Sequence, residues 1–231
     1  MQKKLFDLKN TLKLNDGHRI CRDFLPDAKS YLTWHDVEYA LNSGKYYTDI
    51  ISDGRHVNVD ISKYFWHDHR SQNKEQLFDL INNGHTFSIT CFSLYNKLIS
   101  SLVNDIETIF PVMCDVHVYG GVGGKGSFSP HIDIPSNFII QIEGTTVWRL
   151  YDNTASDLFL QEEINNTFDP SNLTVEHEIE LSPGDMLYIP ARKFHAAFPE
   201  GKRLSLSIPC RSLKYNTEGS KKLDRAYYNV N

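Results

Sequence analysis

The sequence predicts a mainly β protein, an antiparallel sandwich or barrel preceded by a helical N-terminal region. Three observations predict it. From Pro111 onward, short segments rich in β-branched and aromatic residues recur at 113–119, 138–142, 147–151, 175–181, 185–189 and 204–209. No amphipathic helical pattern is interleaved with them, which argues for antiparallel layers rather than a parallel sheet. Before Pro111 the hydrophobic spacing is mostly that of helices and loops. At 231 residues the chain suits one large domain that can bury its own core. The expected organisation is a mainly helical region over 1–110 packing on the barrel, a β core over 111–211 and a polar tail over 212–231.

The elements follow in order. Thr33-Trp34-His35-Asp36 resembles a capping box with Asp in the Glu position, opening a helix that Gly44 stops. Residues 74–83 place Leu77, Phe78 and Ile81 on one helical face, with Gly84 as the C-terminal stop. The strongest helix is expected over 92–110, where Tyr95, Leu98, Ile99, Leu102, Val103, Ile106 and Phe110 keep i, i+3, i+4 spacing. In the β region, Ser182-Pro183-Gly184-Asp185 has the chemistry of a type II turn. Proline presets φ at its second position, and glycine supplies the positive φ at its third. The aromatic run Trp34, Tyr39, Tyr46, Tyr47, Tyr64, Phe65, Trp66 reads as core and helix packing rather than a stacking surface.

Composition excludes several functions. A net charge of −5 offers no basic field, so nucleic acid is not an expected partner. Cys21, Cys91, Cys114 and Cys210 form no CxxC pair, which leaves reduced thiols in a cytoplasmic protein rather than a zinc knuckle or redox motif. The opening MQKKLFDLKN lacks the apolar stretch of a secretory signal. No run approaches the ~18 apolar residues of a membrane span, so no membrane association is expected.

His131-Ile132-Asp133 is the only His-x-Asp in the chain. On a strand, i and i+2 share a face, so imidazole and carboxylate would converge. His195 follows just beyond the segment 185–189, and a rolled sheet can return it to the same neighbourhood. Two imidazoles and one carboxylate with open positions are the ligand set of non-haem Fe(II) oxygenases. A lone HxD is also an ordinary surface pair near a strand end, and spacing alone does not separate the two.

The wider context resembles a known family. HIDIPSNFIIQIEGTTVWRLY (131–151) and LSPGDMLYIPARKFH (181–195) resemble the JmjC-type cupins, especially the cupin-4 group that includes the ribosomal oxygenases. LTWHDVEYALNSG and SDGRHVNVD, nearer the N-terminus, also resemble that group, so the likeness covers roughly residues 31–209. It implies a double-stranded β-helix that binds Fe(II), 2-oxoglutarate and O2, with His131, Asp133 and His195 as metal ligands. The implied activity is that of a dioxygenase hydroxylating a C–H bond, in a peptide or protein side chain by the nearest likeness. A small-molecule or natural-product hydroxylase, or a metal- and ligand-binding cupin without turnover, are the alternatives. Oligomeric state is left open, a homodimer included.

One position departs from the group. A Lys or Arg usually stands two residues after the glycine to pair with the far carboxylate of 2-oxoglutarate, and here that residue is Thr146. Arg203 is the substitute candidate, opening an Arg203-Leu204-Ser205 that resembles the RxS of other 2-oxoglutarate oxygenases. Arg203, Ser205 and Ser207 alternate with Leu204, Leu206 and Ile208, so the polar set shares one strand face. Lys125 is a weaker substitute; Tyr119 and Asn137 are expected as inward polar partners.

Other motifs carry less. Residues 121–126 match GxGxxG, but a strand rather than a helix follows, so they read as a glycine-rich lip beside the metal site. His67-Asp68-His69 reads as a solvated loop, and neither His18 nor His177 carries a partner pattern.

Overall fold

The computed structural model describes residues 2–12, 17–63, 70–123, 125–154 and 173–212. Its helices are α1 (Gln2–Thr11), α2 (Trp34–Ser43), α3 (Lys74–Asn82) and α4 (Lys97–Ile109). The N-terminal half also holds strands β1 (Arg19–Cys21), β2 (Thr48–Ser52), β3 (Arg55–Val57), β4 (Ile61–Lys63), β5 (Arg70–Gln72) and β6 (Thr86–Ile89). The C-terminal half adds β7 (Val112–Cys114), β8 (His117–Gly121), β9 (Ser136–Thr154), β10 (Val175–Leu181), β11 (Met186–Ile189) and β12 (Lys193–Ser212).

Local chemistry sets the helix ends. Thr33 Oγ1 accepts from the Asp36 N–H at 3.2 Å and Asp36 Oδ2 accepts from the Thr33 N–H at 2.8 Å, closing the capping box. Gly44 ends α2 at φ 65°. Helix α4 starts five residues later than its periodicity suggests. Asn96 Oδ1 takes the Ile99 N–H at 2.9 Å and so becomes the N-cap, while the Phe92 N–H donates to Val116 at 2.8 Å. Phe92 and Tyr95 stack at 4.3 Å in the turn that leads in.

Apart from β4 and β5, which pair only with each other, the strands form one rolled antiparallel sheet in the order β1-β11-β9-β12-β8-β6-β2-β3, with β10 on β9 and β7 on β12. This is the jelly roll of a double-stranded β-helix. Strands β9 and β12 pair along their lengths, Lys193 opposite Thr154 through Cys210 opposite Ser136. The segments 138–142 and 147–151, read separately from the sequence, are therefore one strand bent at Gly144 (φ 68°). A Cβ at Gly144 would fall 2.3 Å from the Lys202 carbonyl, so the bend requires glycine. The segment 204–209 is likewise only the second half of β12. The segment 113–119 breaks into β7 and β8, where Asp115 Oδ1 accepts the Val116 N–H at 2.7 Å. The expected turn forms, with Gly184 at φ 93° and the Asp185 N–H donating to Ser182 at 2.9 Å.

The reading of 1–110 as helix and loop misses β2, β3 and β6, which extend the main sheet through β8. All four residues of β6 are buried. Trp34 and Tyr46 pack on the core as expected, Tyr39 and Tyr47 are exposed, and Tyr64, Phe65 and Trp66 lie outside the described residues. Cys114 and Cys210, opposed in register between β7 and β12, hold their sulfurs 2.9 Å apart. Among the described residues no helix is long and apolar enough to cross a membrane.

Strand parity positions the site. Phe138, Ile140 and Ile142 of β9 and Leu204, Leu206 and Ile208 of β12 pack into the large core shared with the helices. The residues between them on β12, Arg203, Ser205 and Ser207, line a pocket inside the roll.

Candidate metal centre

His131 and Asp133 do not stand on a strand, as the i, i+2 argument assumed; they precede β9. Backbone bridging brings them to His195 instead. The His131 N–H donates to the His195 carbonyl at 3.1 Å and the His195 N–H returns the bond at 2.9 Å. The Arg192 N–H, on a residue at φ 62° entering β12, donates to the Asp133 carbonyl at 2.8 Å. The three side chains then offer ligand atoms all within 4.8 Å of one another.

Hydrogen bonding sets the tautomers. His131 Nδ1 donates to the Ser129 carbonyl at 2.7 Å and His195 Nδ1 to the Lys193 carbonyl at 2.8 Å. A carbonyl only accepts, so each Nδ1 carries the proton and each Nε2 is free to present a lone pair. Those lone pairs face the Asp133 carboxylate, at 4.0 Å from His131 Nε2 and 3.5 Å from His195 Nε2. Such a cluster of acceptors requires a proton or a cation at its centre. Burial lowers the His131 imidazole, helped by His195. Burial also acts to lower His195, but the Asp133 carboxylate outweighs it and raises the group. Asp133 itself is opposed by burial yet drawn down to about 2 by its bond to His195 and the nearby imidazoles.

Asn137 stands behind this cluster. Its Nδ2 donates to Asp133 Oδ2 at 2.5 Å and its Oδ1 accepts from Ser207 Oγ at 3.4 Å, so its amide is committed to the carboxylate rather than lining the pocket. Tyr119, Thr146, Arg203 and Ser205 do line it, with Ser207, Phe128 and Trp148. Burial, then the Asp133 charge, pushes the Tyr119 phenol up to about 12, so it stays a donor.

Arg203 is the only Lys or Arg lining this pocket among the described residues. It is 4% exposed, and among the described residues its Nη1 has no hydrogen-bond partner and no charged neighbour offsets its burial. Burial brings it down to about 10, which leaves it charged at neutral pH. A desolvated, unpaired cation is costly, and its complement is an anion. Thr146, buried on β9, brings no charge.

Lys125 lies elsewhere, in an open groove of about 400 Å³ with Asp53, Phe128, Phe198 and Pro199. Ser127, Phe128, Ala197 and Pro199 line both groove and pocket, so one opens toward the other. The segment 67–69 lies outside the described residues. His18 and His177 meet with rings 4.2 Å apart, but among the described residues only His131, Asp133 and His195 cluster as metal ligands. Sequence reasoning missed Thr86, which accepts from Arg203 Nη2 at 2.6 Å. Its short strand lies between helical patterns and gives no signal of its own.

A family model described as JmjC domain matches residues 94–217. The chain is 28% identical over 202 residues to ribosomal oxygenase 2 of Mus musculus, covering 85% of this chain and 42% of that protein. It is 30% identical over 144 residues to the bifunctional lysine-specific demethylase and histidyl-hydroxylase NO66 of Dictyostelium discoideum, covering 57% of this chain and 26% of that one. The chain thus spans less than half the length of these curated relatives. In fold it is similar to YcfD of Escherichia coli, with a TM-score of 0.63 at 16% identity over 90% of this chain and 53% of that one. YcfD solved with cobalt and 2-oxoglutarate gives a TM-score of 0.61 at 18% identity, covering 89% of this chain and 51% of that one.

Proposed function

The chain belongs to the JmjC domain family, and from that premise we propose that it is an Fe(II)- and 2-oxoglutarate-dependent oxygenase hydroxylating a C–H bond of a peptide or protein side chain. The observation that carries this is one pocket with two unlike ends: converging acceptors at His131, Asp133 and His195, and the unpaired cation Arg203. The acceptor set fits a divalent ion, because two neutral imidazoles and one carboxylate leave three coordination positions open. When bound, ferrous iron supplies the activation of O2 that couples oxidative decarboxylation of 2-oxoglutarate to hydroxylation, releasing succinate and CO2.

The chain's own residues do the rest. His131 Nε2, Asp133 and His195 Nε2 hold the ion, with each imidazole fixed by its Nδ1 bond to a backbone carbonyl. Asn137 orients the carboxylate. Arg203 binds the far carboxylate of 2-oxoglutarate through a charge-assisted bond, with the Ser205 and Tyr119 hydroxyls beside it and Thr146 on the facing strand. Ile139, Phe128 and Trp148 exclude water from the reacting end. The open groove beside the mouth suits an extended peptide better than a small metabolite, which an enclosed site would serve. The names of the relatives, a histidyl-hydroxylase among them, support a protein side chain as the target.

The uncharged Thr146 favours one second reading, a cupin that binds metal and ligand without turnover. The test is succinate formation from 2-oxoglutarate by protein loaded anaerobically with Fe(II) and then exposed to O2. Slow turnover that disappears in Asp133→Ala supports the oxygenase. Tight 2-oxoglutarate binding without succinate across a panel of peptides supports the binding protein, and neither binding nor turnover overturns both.

A further inference from the structure

Strand β6 belongs to the N-terminal half, yet it reaches the anchor end of the pocket by pairing with β8. There Arg203 Nη2 donates to Thr86 Oγ1 at 2.6 Å, across 117 residues of sequence. Thr86 is fully buried, and its own hydroxyl proton goes to the Gly126 carbonyl at 3.3 Å. With that proton committed, the oxygen turns lone pairs toward the guanidinium, so its role as acceptor is fixed.

On its other side the guanidinium lies against Gly121, which pairs with Arg203 in the β8–β12 ladder. A Cβ at Gly121 would fall 2.5 Å from Nη1, 3.2 Å from the His85 carbonyl oxygen and 3.4 Å from Cζ. Gly121 is not among the glycines with positive φ, so its backbone conformation does not demand glycine. The space of the missing side chain is taken mainly by the arginine head, with the His85 carbonyl at its edge. The two contacts come from different strands and constrain the same group.

We infer that Thr86 and Gly121 are positioning residues that hold the Arg203 guanidinium in one pose, and that this pose makes the pocket select 2-oxo dicarboxylates over 2-oxo monocarboxylates. The inference rests on the proposed binding of 2-oxoglutarate at Arg203. A long arginine side chain is costly to order, so one already fixed by an acceptor and a fitted cavity binds its anion with less loss of freedom. The selected class follows from the cation: a 2-oxo acid with a methyl in place of the far carboxylate would leave the buried charge unpaired.

The test is calorimetric titration of Mn(II)-loaded protein with 2-oxoglutarate and with 2-oxopentanoate, which replaces the far carboxylate by a methyl group. Wild type is expected to prefer the dicarboxylate by ~100-fold, the range for pairing against stranding a buried charge. Thr86→Val is expected to weaken 2-oxoglutarate ~10-fold while leaving 2-oxopentanoate and Mn(II) affinity within ~2-fold, and Thr86→Ser to restore the preference. Gly121→Ala should lose preference in the same way; if it fails to fold, the valine and serine pair still decides. Unchanged preference in Thr86→Val, or equal weakening of both acids, overturns the positioning role and leaves the anchor intact. A wild type that does not distinguish the two acids overturns the anchor itself, and this inference with it.

Discussion

The two ends of the pocket are built on opposite electrostatic terms. At one end His131, Asp133 and His195 are mutually compensated: the carboxylate raises His195 and is itself drawn down to about 2. At the other, Arg203 is nearly as buried as His195 but faces no carboxylate among the described residues. A proton can hold the first end together in the absence of metal, whereas no proton can neutralise a guanidinium at working pH. The second end therefore tolerates a standing cost that only an incoming anion removes. Stability and function are pulled in the same direction at the metal end and in opposite directions at the anchor end.

The contrast can be broken most directly at Asp133. Asp133→Ala removes the only carboxylate of the cluster, and metal affinity measured by chelator competition should fall beyond the ~10–100-fold typical of losing an outer partner. At the anchor end, Arg203→Met should weaken 2-oxoglutarate by roughly 10²–10³-fold, corresponding to ~3–5 kcal/mol for breaking a buried pair. The same variant should melt no lower than wild type when ligand-free, because it removes an uncompensated buried charge. A large drop in its melting temperature would show that Arg203 is paired in the ligand-free protein.

Asn137→Ala sharpens the comparison from behind the carboxylate. It should cost metal affinity ~10–100-fold with little change in 2-oxoglutarate selectivity, since its amide holds Asp133 and touches the pocket lining only through Ser207, not Arg203. The smallest effect is expected far from both ends. Thr33→Ala should cost about 1 kcal/mol of stability in denaturant unfolding and leave both affinities unchanged. Asp36 is pushed up by burial, but its bonds to Thr33 and Tyr95 win and hold it below its ordinary value. Its contribution is therefore present above the ordinary carboxylate pKa and is lost as pH falls through the lowered one. A pH titration of unfolding midpoints should show the Asp36→Ala deficit shrinking on the acid side.

The legibility of these features differs for physical reasons. The capping box and the 182–185 turn were readable because each is satisfied by residues within three positions of one another. The alternation of Arg203, Ser205 and Ser207 was readable because strand parity is local. The residue types at His131, Asp133 and His195 suggest a ligand set, but strand parity is not the reason they meet. They converge through a backbone bridge to the start of β12, not by sharing a strand face. Asn137 is expected as an inward polar partner, yet its bond to Asp133 is not legible from spacing.

The sequence by itself determined the antiparallel β class, the caps of α2 and the 182–185 turn, which depend on periodicity or on near neighbours, and its family resemblance added the double-stranded β-helix and the candidate ligands. Only the tertiary structure decided that β6 belongs to the sheet, that Thr86 meets Arg203, and that a Cβ at Gly121 would meet the guanidinium. Those contacts join strands far apart in the chain. Their energetic weight depends on the desolvation of one charge, a property that exists only once the roll has closed around it.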